Sequence, residues 1–172
     1  MLSHNPPDML ILIAGLPGTG KTTIAKAYAK RYGVLHLNSD HIRRELGLWG
    51  SYRPEDKARV YEELLDRTRA ALTSGKTVVV DSTFYSAELR QAFAELAEKQ
   101  GIATKWILAT APEETLRQRV SAPRPDSEAN EAVLEKIQAA FEPMEPPFLT
   151  IDTAGASPES LAEAIHRYIG HG

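Results

Sequence analysis

The octapeptide Gly15-Leu16-Pro17-Gly18-Thr19-Gly20-Lys21-Thr22 satisfies G-x-x-x-x-G-K-[ST] at every position, and no other stretch restricts the fold as much. It lies between an apolar run, Leu10 to Ala14, and a helical pattern, Thr22 to Arg31, in which Ile24, Ala25 and Tyr28 recur at helical spacing and which Gly33 ends. The apolar run is continuous rather than alternating, as expected of a central strand covered on both faces. Further β-rich segments follow at Val34 to Leu37, Thr77 to Val80, Ala103 to Leu108 and Phe148 to Ile151. Helical patterns separate them at Asp40 to Leu46, Pro54 to Leu72, Ser86 to Gln100, from Pro112 onward, and at Ser157 to Ile169. Strand and helix alternating along nearly the whole chain predict an α/β protein in three layers, α/β/α, with a five-stranded parallel sheet.

The glycine loop has a chemical reading. Glycines let the backbone curl so that successive amides converge on phosphate oxygens, and the following helix N-terminus adds positive potential. The expected nucleotide-binding set is Gly15, Pro17, Gly18, Thr19, Gly20, Lys21, Thr22 and Thr23. Lys21 is expected to reach the β- and γ-phosphates of ATP, and Thr22 to offer its hydroxyl to Mg²⁺. The loop itself does not distinguish ATP from GTP. Asp81, directly after the valine strand, fits the second nucleotide-binding motif, an acidic residue that holds Mg²⁺ directly or through water, with capping of the following turn as its bland alternative. The fold expected is therefore that of a P-loop NTPase.

Composition narrows the rest. Length and 42% hydrophobic content suit one substantial core, so residues 1–172 are expected to form a single unit with a lead-in at 1–8. The balance of 20 Lys plus Arg against 23 Asp plus Glu, a net −3, makes no global case for a nucleic-acid or membrane surface, although a local basic patch stays open. Absence of cysteine excludes disulfides and thiolate chemistry, and fits a reducing compartment. No apolar run approaches the roughly 20 residues that cross a bilayer. A cytoplasmic protein without a membrane or obligate protein partner is expected. Pro123, Arg124, Pro125 and Asp126, within Ser121 to Ser127, mark a surface loop, and the lid is expected at about 117–130.

The phosphate loop, Asn38-Ser39-Asp40-His41-Ile42-Arg43 after the second strand, Val80-Asp81-Ser82-Thr83, and Arg117 and Arg119 before the loop with Arg124 together resemble the small P-loop kinases of the AAA_33 group. That group includes polynucleotide 5′-hydroxyl kinases, zeta-toxin-like and chloramphenicol-phosphotransferase-like enzymes. The resemblance covers about residues 9 to 153. It implies transfer of the γ-phosphoryl group of ATP to a hydroxyl acceptor, either a small molecule or a nucleic-acid 5′ end. It also implies that Asp40 deprotonates or orients that hydroxyl, with Arg43 as its partner or as an acceptor clamp. Lys21 joins them in catalysis. For the arginine over the triphosphate, Arg119 comes first and Arg124 second, because prolines flank Arg124.

Each role has an alternative. Asp40 or Ser39 can simply cap the helix that follows. Arg44, Trp49, Tyr52 and Arg53 can line an acceptor site or pack their segment, as can Phe84 and Tyr85. From another class, a nucleotide-hydrolysing switch or ATPase would use the same loop, but the sequence contains no N-K-x-D base-recognition tetrad.

Overall fold

The computed structural model describes residues 8–124 and 129–170. The lead-in residues 1–7 and the loop residues 125–128 lie outside the described residues. The elements run β1 (Met9–Ala14), α1 (Lys21–Tyr32), β2 (Leu35–Asn38), α2 (Ser39–Glu45), α3 (Pro54–Thr73), β3 (Val78–Asp81) and α4 (Ala87–Lys99). They continue with β4 (Ala103–Thr110), α5 (Glu113–Ser121), α6 (Glu131–Ala140), β5 (Leu149–Asp152) and α7 (Pro158–Gly170). The strands form one five-stranded sheet in the order β2-β3-β1-β4-β5, with every neighbouring pair parallel. This is the three-layer α/β/α architecture of P-loop NTPases.

The unbroken apolar run of β1 follows from its central place. All six residues are buried, and the two-residue period divides them between the faces. Leu10 and Leu12 join Val60, Leu64, Phe93 and Leu96 under α3 and α4, whereas Ile11 and Ile13 join Ile24, Tyr28, Ile165 and Ile169 under α1 and α7. Each such side chain contributes roughly 1.5–3 kcal/mol by leaving water. A smaller cluster of Leu116, Val120 and Leu134 joins α5 to α6 beside Leu16.

Boundaries shift where tertiary pairing or caps decide them. β4 runs two residues beyond Leu108 because Ala109 and Thr110 pair with Ile151 and Asp152. Pro112 stands just outside α5 as its N-cap instead of opening it, with extended backbone angles. Pro54, by contrast, is within the first turn of α3. Ser86 and Asn130 cap α4 and α6 by accepting from Leu89 N and Val133 N.

In a parallel sheet the chain leaves every strand at the same edge, so the loops after β1, β2, β3 and β5 gather along one rim. The strand ends there, and the loops and helices that follow them, carry the residues that build the site.

Candidate active site

A cavity of about 640 Å³ opens along this rim. Its floor is the phosphate loop, fixed to the sheet by Gly15 N donating to Thr83 O at 3.3 Å. Within the loop, Thr19 Oγ1 and Lys21 Nζ both donate to Leu16 O, at 2.8 and 3.2 Å. Gly18 has φ +85°, in the left-handed region where a side chain is strained. Pro17, Gly18, Gly20, Lys21, Thr22 and Thr23 line the cavity. Gly15 and Thr19 stand behind it and shape the turn.

Asp81 ends β3 opposite Ile13 on one side and Asn38 on the other, and it is wholly buried. Thr22 Oγ1 donates to Asp81 Oδ1 at 2.7 Å, and Asn38 Nδ2 donates to the same oxygen at 2.8 Å. Asn38 also donates to Thr22 Oγ1 at 3.1 Å, and His36 Nε2 pairs with Asp81 Oδ2. A buried carboxylate is tolerable only when surrounded by such partners. The hydroxyl of Thr22 and the carboxylate of Asp81 thus stand together as hard oxygen donors. Among the described residues no group of three or more His, Cys, Asp or Glu side chains could hold a metal alone. That donor set suits Mg²⁺, which keeps several waters and takes further ligands from substrate phosphates.

Asn38 also caps α2, its Oδ1 accepting from His41 N at 2.8 Å. The helix is therefore capped by neither Ser39 nor Asp40. Asp40 lines the cavity and accepts from Arg43 Nη1 at 2.6 Å, one turn along the helix. Arg43 is 5% exposed, with its guanidinium 4.6 Å from the ring centre of Tyr52. Burial pushes the Asp40 carboxyl above its usual range, opposed by Arg43 and then Lys21. Burial also holds the Lys21 ammonium below its usual range, opposed by Asp81 and Asp40. The acid and the amine feel each other's charge across one cavity.

Arg117, Arg119 and Arg124 occupy different places. Arg117 is clasped by Glu113, Glu131 and Glu135 on the outer face and does not line the cavity. Arg119 Nη1 donates to Gly18 O at 3.0 Å and to Thr153 Oγ1 at 2.9 Å. Arg124 lines the cavity, donates to Ala129 O at 2.9 Å, and its charge acts on both Asp40 and Lys21.

Of the acceptor-side candidates, Tyr52 and Tyr85 line the cavity, whereas Arg44 and Trp49 pair with each other at 4.2 Å and Arg53 holds Glu55 and Asp56. Phe84 belongs to the core, with Phe93 and Trp106 at 5.1 and 5.3 Å and an uncommon φ of 47°. Residues that sequence reasoning assigned no role also line the cavity, namely Asn38, Lys57, Tyr61, Ser82 and Thr153. Tyr61 OH bridges Ser82 Oγ at 2.7 Å and Thr83 Oγ1 at 3.1 Å. Position marks three of the five, since Asn38 ends a strand and Ser82 and Thr153 directly follow one, whereas Lys57 and Tyr61 lie within α3.

Comparison with known proteins bears on the fold and the family. An uncharacterized protein of Mycobacterium tuberculosis is 29% identical over 172 residues, which takes in 91% of this chain and 34% of the relative. The chain thus spans about a third of the length of the curated relatives it matches first. Among solved structures, a sugar kinase from Janibacter sp. HTCC2649 matches with TM-score 0.73 at 20% identity over 95% of both chains. The Mycobacterium tuberculosis APS kinase CysC matches with TM-score 0.74 at 16% identity, over 97% of this chain and 99% of that one. These likenesses show a shared fold. The AAA_33 family profile, described as an AAA domain, matches residues 10–144. With that profile over most of its length and a phosphate loop in the matching strand-loop-helix context, the chain belongs to the AAA_33 family, as a member with the P-loop kinase fold.

Proposed function

We propose that residues 1–172 act as one kinase unit that transfers the γ-phosphoryl group of ATP to a hydroxyl acceptor. The observation that carries this reading is the cavity shared by Lys21 and Asp40, in which a phosphate-binding amine faces a carboxylate of raised proton affinity. A solved relative in fold, the APS kinase CysC, was crystallised with AMPPNP and APS together, a nucleotide analogue beside an acceptor.

The chemistry follows from the side chains. The acceptor oxygen attacks the γ-phosphorus, and a new P–O bond forms as the bond to the bridging oxygen breaks, with its electron pair leaving on ADP. The hydroxyl proton passes to Asp40, whose raised proton affinity brings it closer to the alcohol it must serve. Arg43 holds that carboxylate in place. The loop amides and Lys21 grip the phosphates, so the reacting oxygen and phosphorus meet in a fixed geometry. Thr22 and Asp81 would hold Mg²⁺, which when bound neutralises charge on the β- and γ-phosphates. Arg124 is the cation for the migrating group, because its charge reaches Lys21 and Asp40. Arg119 instead fixes the lid helix to the phosphate loop.

Incubation with γ-labelled ATP and panels of alcohols, sugars and 5′-hydroxyl oligonucleotides tests the proposal. Labelled acceptor supports it. Phosphate release alone across all panels, unaffected by any acceptor, overturns it in favour of hydrolysis.

A further inference from the structure

The charges lining the cavity are unequal. Among the described residues, the lining cations Lys21, Arg43, Lys57, Arg119 and Arg124 face two carboxylates, Asp40 and Asp81. Most of these cations have an evident partner in the phosphotransfer reading: Lys21 and Arg124 meet the triphosphate, Arg119 fastens the loop, and Arg43 holds Asp40. Lys57, in the first turns of α3, does not. Among the described residues it forms no ion pair, and its ammonium rests 5.1 Å from the ring centre of Tyr85, a second cavity-lining residue.

An aromatic ring holds a cation through its quadrupole without neutralising it. The charge of Lys57 is thus oriented but not spent. Burial lowers its proton affinity, and the nearby cations Lys136 and Arg43 lower it further. A half-buried lysine in such surroundings is a poor contributor to stability and a ready site for an anion. Space limits the anion's size. A cavity of about 640 Å³ must also take the nucleotide, which leaves room for a small acceptor beside it.

We infer that the acceptor is a small anionic alcohol, whose phosphate, sulfate or carboxylate group docks on Lys57 beside Tyr85 while its hydroxyl faces Asp40. This rests on the phosphotransferase reading and narrows it. The reaction remains the one above, in which the acceptor oxygen takes the γ-phosphoryl group, ADP leaves and Asp40 takes the proton. The docked anion takes no covalent part.

The test pairs hydroxyl-bearing acceptors with and without an anionic group: glycerol 3-phosphate with glycerol, ribose 5-phosphate with ribose, glucose 6-sulfate with glucose, and gluconate with sorbitol, alongside a 5′-hydroxyl oligonucleotide. Transfer from γ-labelled ATP is measured for the native chain, Lys57→Gln and Lys57→Arg. The expected result is a kcat/KM at least about tenfold higher for the anionic member of one or more pairs, as a charge-assisted contact supplies. Which pair shows it identifies the anion. Lys57→Gln should cut that anionic-to-neutral ratio about tenfold or more, mainly through KM for the acceptor, and Lys57→Arg should restore most of it. Equal use of both members of every pair, equal losses for both in Lys57→Gln, or preference for the oligonucleotide over every small alcohol overturns the inference while leaving phosphotransfer standing. No labelled product from any alcohol removes both.

Discussion

The guanidinium of Arg119 donates to the carbonyl oxygen of Gly18 at 3.0 Å, joining the helix after β4 to the loop that grips phosphate. A second bond to Thr153 Oγ1 extends the tie to the end of β5. Arg124 stands differently, with its charge acting on Asp40 and Lys21. The two arginines should therefore fail in different ways. Arg119→Ala loses loop order and should raise KM for ATP about tenfold with a smaller change in kcat, the scale of one or two hydrogen bonds. Arg124→Ala should lower kcat about 10²–10³-fold with ATP affinity little changed, as for removal of a transition-state cation or donor. Steady-state kinetics with ATP varied separates them, and the opposite split reverses the roles.

Asp40 should govern the acidic limb of the pH profile. Its carboxyl lies above the ordinary value of 3.8 because burial outweighs Arg43 and Lys21. Activity needs the ionised form, so kcat/KM should fall as pH drops through that raised value. Asp40→Asn should lose about 10²–10⁴ in kcat, retain ATP binding, and lose this limb from its residual profile. Stability responds with the opposite sign. The folded chain binds this proton more tightly than the unfolded one, so the group's contribution is greatest below 3.8 and declines as pH rises through the folded value.

Asn38 serves two elements at once, capping α2 through its oxygen and holding Asp81 and Thr22 through its nitrogen. Asn38→Ala removes a cap worth about 1 kcal/mol and leaves a buried carboxylate short of a donor at about 1–2 kcal/mol more. Urea unfolding should show a loss of about 2–3 kcal/mol, and thermal unfolding a Tm lower by roughly 5–10 °C. A loss within 0.5 kcal/mol would mean that other groups satisfy Asp81 unaided.

The distribution of legible and illegible features has a physical cause. β1 and the phosphate loop could be read because burial on both faces produces an unbroken apolar run and because a tight turn around phosphate demands glycine. Asp81 was marked by the valine strand before it, and Asp40 by its place in a motif after β2. Phe84 and Tyr85 were indistinguishable in sequence, since neighbouring aromatics leave a turn in different directions and only the left-handed backbone at Phe84 sends it into the core. Lys57 reads as part of a charged helix face. It lines the cavity together with Tyr61, one turn later on α3, because of how that helix crosses the sheet, and local spacing does not encode the crossing. Arg117 and Arg119 differ by two residues, which turns them to opposite sides of α5, one toward the glutamates of α6 and one toward the phosphate loop.

Gly15 separates a glycine required by packing from one required by conformation alone. A Cβ there would stand 2.7 Å from the carbonyl oxygen of Ala109 and 2.8 Å from Thr19 Oγ1. Neither atom can retreat cheaply, because β4 is paired with β1 through Leu108 and with β5 at Ala109, and Thr19 holds Leu16 O. Gly33, the C-cap of α1, also has a left-handed φ of +66°, but nothing lies within 4 Å of an added Cβ. Gly33→Ala should therefore cost only the backbone strain, about 1 kcal/mol, and leave ATP affinity unchanged. Gly15→Ala should cost about 2–3 kcal/mol and weaken ATP binding as well, because relief of the clash must move the loop whose amides hold the phosphates. Urea unfolding combined with calorimetric titration of ATP distinguishes the two, and equal effects of both variants would show that the approach of Gly15 to β4 is not what shapes the phosphate loop.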